Sequence, residues 1–174
     1  MSKLALTAEE TLAWHELNSA AWKQLLTEHP EALSFPCDIT QTKTVGELLQ
    51  HIVAVELRYA ERLANLPATD YATIPFDSVD VIYATHVRAT TLFQQLLSSD
   101  TIDWSERIEF ATRSRGPARS SRKVIFFHAI FHTARHYAQL ATLVRQHGIS
   151  PWLAHGLPLH GPRKGLRLIF TSPS

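Results

Sequence analysis

The amino-acid sequence predicts an all-α chain folded as a four-helix bundle. Three observations carry that expectation. Four stretches of about 20 residues have apolar side chains at helical spacing, each opens on a capping residue, and Pro or Gly punctuates the chain between and after them. The first helix is expected over residues 7–28. Thr7 and Glu10 have capping-box spacing, Trp14, Leu17, Ala21 and Leu25 form an apolar stripe, and Pro30 stops it. A Pro-containing loop follows to residue 41. The second helix is expected over 44–65, with Thr44 and Glu47 in the same capping relation and Leu48, Ile52, Val55 and Tyr59 as its stripe. Pro67 lies just beyond it.

The third helix is expected over 77–98, with Asp77 as N-cap. Its stripe is Val79, Ile82, Ala89, Phe93 and Leu96, with His86 inside it. The pattern weakens between residues 99 and 117, where the alternation over 106–111 fits either a short strand or a turn of helix. The fourth helix is expected to start at Ser120 or Ser121 and to stop at Gly148 in the C′ position, with Pro151 just after. Two connections, 67–76 and 99–117, are long. Residues 1–149 read as one bundle domain, and 150–174 as an irregular Pro- and Gly-containing tail, either strapped over the bundle or partly disordered.

Composition narrows the function classes. Apolar residues make up 45% of the 174 positions, charged residues 19%, and the formal net charge is +1. A balance this close to neutral argues against nucleic acid as the main ligand, because phosphate binding needs a concentrated basic face. The basic run Arg113, Arg115, Arg119, Arg122 and Lys123 is mixed with Ser, Gly and Pro, and reads as a solvated loop. A single cysteine, Cys37, excludes an intramolecular disulfide and fits a reducing compartment. No membrane span or signal-peptide core is evident, so a cytoplasmic location is expected.

Chemistry is concentrated in the histidines. His128, His132 and His136 stand one helical turn apart, and His51 lies in the second helix. Side chains at i and i+4 share a helix face, with Cβ atoms about 6 Å apart, close enough for two imidazoles to reach one metal ion. Imidazole suits zinc, nickel, copper and iron. The competing reading is that these residues are amphipathic packing residues, satisfied by hydrogen bonds at helix–helix contacts. Spacing leaves both readings open, and it leaves open which pair ligates, His128/His132 or His132/His136.

A resemblance bears on that choice. The second-helix run from Val45 to Glu56, which contains His51, and the run His132-Thr133-Ala134-Arg135-His136-Tyr137-Ala138-Gln139-Leu140 together resemble the DinB/YfiT-like superfamily of proposed metalloenzymes. Arg145-Gln146-His147-Gly148 matches its closing pattern. The resemblance covers roughly residues 10–148; it fades in the basic, proline-containing tail. It implies a bundle with long crossover loops, often a homodimer, and a metal triad of His51, His132 and His136, with His128 a neighbour. It further implies a divalent transition metal and chemistry with small-molecule substrates, either transfer involving a low-molecular-weight thiol or hydrolysis. The alternative is a non-catalytic, stress-associated bundle with a structural metal or a small-ligand pocket. A filled fourth coordination position, for which Glu47 is the candidate, would favour that alternative, although helix capping is the simpler role for Glu47.

The remaining polar residues have bland expectations. Glu56 and Arg58 read as surface or inter-helix groups, and His86 as a satisfied core histidine rather than a pocket residue. Cys37 reads as an inert buried thiol, and His155 and His160 as solvated. No residue can be assigned as a general base from the sequence.

Overall fold

The computed structural model describes residues 5–112 and 116–151, with the backbone alone at positions 111 and 112. His155, His160 and nearly all of the expected tail lie outside the described residues.

Four α-helices dominate: α1 (Ala8–Glu28), α2 (Val45–Leu63), α3 (Val79–Leu97) and α4 (Arg122–Gln146). Their ends follow capping chemistry. The Thr7 hydroxyl accepts from the Glu10 N–H at 3.1 Å, and the Glu10 carboxylate accepts from the Thr7 N–H at 2.9 Å, closing the box. Thr44 caps α2 in the same way, but the Glu47 carboxylate accepts from the Lys43 N–H at 2.7 Å, so only half of that box forms as expected. The N-cap of α3 is Ser78 rather than Asp77, which places the buried Val79 at the first helical position. Ser121 caps α4. At its other end Gly148 adopts φ +83°, and the N–H groups of Gly148 and Ile149 donate to the carbonyls of Arg145 and Val144. That is a Schellman stop, and the left-handed φ is the reason a glycine suits it.

The ambiguous 106–111 segment is a strand. β1 (Arg107–Thr112) pairs antiparallel with β2 (Gly116–Ser121), in a register that sets Phe110 opposite Ala118. Of the basic run, Arg113 and Arg115 lie outside the described residues, while Arg119 belongs to β2 and Arg122 and Lys123 open α4 rather than a simple solvated loop. Arg119 and Lys123 are exposed, but Arg122 is buried. Its Nε donates to Glu106 at 2.9 Å, and its guanidinium also donates to the Leu63 carbonyl and to Asn65 Oδ1. It ties the start of α4 to the end of α2.

Helix directions follow from the two apolar clusters. One gathers the C-terminal halves of α1 and α4 with the N-terminal halves of α2 and α3, including Trp22, Leu26, Leu48, Ile52, Ile82 and Leu140. The other gathers the opposite halves, including Leu12, Leu57, Phe93, Phe126 and Ile130. So α1 and α4 run one way, and α2 and α3 the other. Two parallel neighbours in sequence need a crossover, and α2, at 19 residues, is about 28 Å long. Residues 64–78 supply it and run back beside α2. Thr69 bonds Glu61 and the Arg58 guanidinium, and farther on Gln50 donates to the Ile74 carbonyl at 2.6 Å.

Between the two clusters lies a layer of buried polar side chains: His15 and Ser19 on α1, Glu56 on α2, His86 on α3 and Thr133 on α4. The expected stripe of α1 is accordingly wrong in part. Its buried face runs through Thr11, His15, Ser19 and Trp22, while Leu17 is 45% exposed. The polar residues are accommodated there because other helices offer them partners.

Phe93 is fully buried and meets Phe126 edge-on at 5.3 Å. Phe93→Ala should destabilise the fold by about 3–5 kcal/mol in urea denaturation, because the cavity adds to the lost burial. A loss under about 1 kcal/mol would show that this cluster is not close-packed.

Candidate metal centre

His51 sits in the second turn of α2, and His132 and His136 are in the middle of α4, across the α2–α4 packing. Their Nε2 atoms converge. His51 Nε2 is 3.1 Å from His132 Nε2, which is 3.2 Å from His136 Nε2. All three ligand atoms lie within 4.8 Å of one another. His136 is buried, and His51 and His132 are half-buried.

Protons shared among the three imidazoles cannot satisfy both of these contacts at once. His136 Nδ1 stands 2.7 Å from Gln139 Oε1, so Nδ1 carries the proton and Nε2 presents a lone pair. If His132 Nε2 donates to His136, it has nothing left with which to accept from His51. If it accepts from His51, lone pairs face each other across the other gap. One cation among the three nitrogens would engage every lone pair. Three nitrogens about 2.0–2.1 Å from a tetrahedral ion are about 3.3 Å apart, close to the separations found here. The residues thus fit a metal, and Gln139 orients His136 from behind.

The electrostatics agree. Burial first, then His136 and His51, push the His132 imidazole down to about 2. Burial likewise lowers His136, against the opposing hydrogen bond to Gln139. Both are neutral at ordinary pH, the form that ligates. Arg135 is exposed, and its Nη2 donates toward His136 Nε2 at 3.2 Å.

His128 stands apart. It is exposed, its ring centroid is 6.0 Å from that of His132, and it packs edge-on against Tyr59 at 5.5 Å. Glu47 stays at the start of α2 on the Lys43 N–H and is not among the converging groups. Cys37 is buried and accepts a contact from the Thr42 hydroxyl at 3.2 Å.

A second group of potential ligands lies deeper, and the sequence did not disclose it. Glu56, fully buried, holds His86 Nδ1 at 2.7 Å on Oε2 and accepts from the Thr133 hydroxyl at 2.6 Å on Oε1. His15 Nε2 is 3.1 Å from Oε1 but off the line of a hydrogen bond, so it has a charge contact without a hydrogen-bond partner. Burial alone would raise the Glu56 pKa, but the facing His86 and His15 outweigh it and hold the carboxyl far below its usual range. Burial likewise acts to lower His86, and Glu56 outweighs it, so the His86 pKa is raised. Glu56 is therefore an inter-helix group with no surface role, and His86 is the satisfied core histidine expected of it.

A family model for the DinB family matches residues 1–161, and the chain belongs to that family. Among curated proteins, no sequence matches it. Four helices in a bundle, with a minor two-stranded sheet, agree with the expected fold.

Glu56→Gln should destabilise the protein by about 3 kcal/mol, since it breaks a buried charge pair. The depressed Glu56 pKa contributes stability above the unfolded carboxyl value of about 4.3, lost only as pH falls through the lower folded value. The raised His86 pKa contributes fully below about 6.5, and that share is lost as pH rises through the folded value. The difference between wild type and variant, from urea titrations across pH, should peak between about 4.5 and 6.5. A difference that keeps growing from pH 6 to 9 would contradict a charged His86.

Proposed function

We propose that this DinB-family chain is a metal-dependent enzyme in which His51, His132 and His136 hold one divalent transition metal such as zinc, nickel or iron. The reaction class that suits it is transfer involving a low-molecular-weight thiol, or hydrolysis of a small substrate. The observation that carries this reading is the meeting of three Nε2 atoms whose two contacts protons shared among the imidazoles cannot both satisfy. A metal held by three imidazoles would supply Lewis-acid chemistry, acidifying a water or thiol and polarising a carbonyl at its open side.

The protein's own contribution is positional. Two ligands come from one turn of α4 and the third from α2, so helix packing sets their separation. Gln139 fixes the tautomer of His136, and burial keeps His132 and His136 neutral. Glu47, the candidate for closing the coordination sphere, is engaged at the helix start instead, which supports an open site over a structural one. Among the described residues no helix is long and apolar enough to cross a membrane.

Protein purified without a histidine tag should contain one equivalent of metal by elemental analysis. Each of His51→Ala, His132→Ala and His136→Ala should lose stoichiometric binding while keeping its helical circular dichroism, whereas His128→Ala should keep the metal. Loss with His128→Ala and retention with His136→Ala would mean that the other pair ligates. A cobalt-substituted form whose spectrum ignores azide and thiols would point to a structural metal.

A further inference from the structure

We propose that Arg135 reads an anion at this site: it pairs with a carboxylate carried by the ligand that occupies the open side of the histidine triad. The inference rests on the metal reading above and adds to it the class of ligand. Arg135 lies three residues after His132 and one before His136, at the solvent edge of the ligand face of α4. Phe131, one turn earlier, is 60% exposed beside it. Among the described residues no carboxylate forms an ion pair with Arg135; its guanidinium donates toward His136 Nε2 at 3.2 Å.

That contact cannot coexist with a ligated His136. The proton on Nδ1 leaves Nε2 a single lone pair, which either accepts from the guanidinium or binds a metal. Metal loading thus displaces the guanidinium while its backbone keeps it within a side chain's length of the ion. A permanently charged arginine then faces a dication. The triad offers no negative charge to separate them, and the buried Glu56 is already paired with His86. An anion between the two cations resolves the repulsion. A carboxylate fits best, because the planar fork of the guanidinium matches its two oxygens. A ligand that binds the metal through one group and carries a carboxylate a few bonds away would meet both requirements.

The test compares two small thiols on cobalt-loaded protein, mercaptoacetate and 2-mercaptoethanol, which differ in a carboxylate against a hydroxyl. Affinities are read from the cobalt absorption spectrum, with cobalt stoichiometry measured alongside. Wild type should prefer mercaptoacetate, and Arg135→Gln should reduce that preference by about tenfold or more, the size expected for a charge-assisted hydrogen bond. The Arg135→Gln affinity for 2-mercaptoethanol should not fall, and cobalt stoichiometry should stay the same. Arg135→Lys should retain part of the preference, since it keeps the charge without the fork. An unchanged preference in Arg135→Gln overturns the proposal, including the case in which mercaptoacetate chelates the metal by itself. Protein that binds cobalt but responds to neither thiol overturns the open-site reading, and this inference with it. Protein that binds no cobalt overturns the metal reading, and again this inference falls.

Discussion

A carboxylate with no exposed surface has to be balanced, and the bundle is organised around doing so for Glu56. Removing a charge from water costs several kcal/mol unless partners replace the lost hydration. Those partners arrive from every other helix: His15 from α1, His86 from α3 and Thr133 from α4. Each must stand at the same height as Glu56, so one residue constrains the axial register of all four helices. Apolar packing above and below is less demanding, because hydrophobic contact is non-directional and tolerates repacking. The polar layer between the two apolar clusters therefore sets the register, and the clusters contribute most of the burial.

That constraint reaches the histidine triad through the backbone. Thr133 follows His132 directly, and Glu56 lies five residues after His51 on α2. The Thr133–Glu56 bond thus joins the two helices that carry the triad, close to the level at which the three nitrogens meet. A slip of α4 by one turn would shift His132 by about 5 Å relative to His51 and strand the Glu56 carboxylate at the same time. The position of the triad is held by a bond that takes no part in it.

How far the sequence disclosed this depends on what kind of signal each part leaves. The four helices were legible because apolar period, caps and stops agree, as at Thr7 with Glu10 and at Gly148. The pair His132/His136 was visible as a spacing, but nothing local separated it from His128/His132. The bearing of His51 came from a family resemblance, since 81 residues of chain separate it from His132. The inner group was illegible for a physical reason. Apolar periodicity scores His15, Ser19 and Glu56 as surface, and their partners are remote in sequence, so the predicted stripe of α1 turned toward Leu17. Arg122 hid in the same way, as one cation in a basic run, because its partners Glu106 and Leu63 are remote from it in sequence.

Two sets of three potential ligands lie in one bundle, and their charges distinguish them. His15, Glu56 and His86 include a carboxylate whose pKa is depressed and an imidazole whose pKa is raised, so the set balances itself in a site closed to water. A dication there would displace the His86 proton and break the 2.7 Å contact, while bringing net positive charge into the core. The outer triad is the reverse. It has three imidazoles, no carboxylate and access to solvent on one side, with two nitrogen contacts that protons cannot both satisfy. The same residue type thus serves as a counter-ion where a carboxylate faces it and as a metal-ligand candidate where only other imidazoles do.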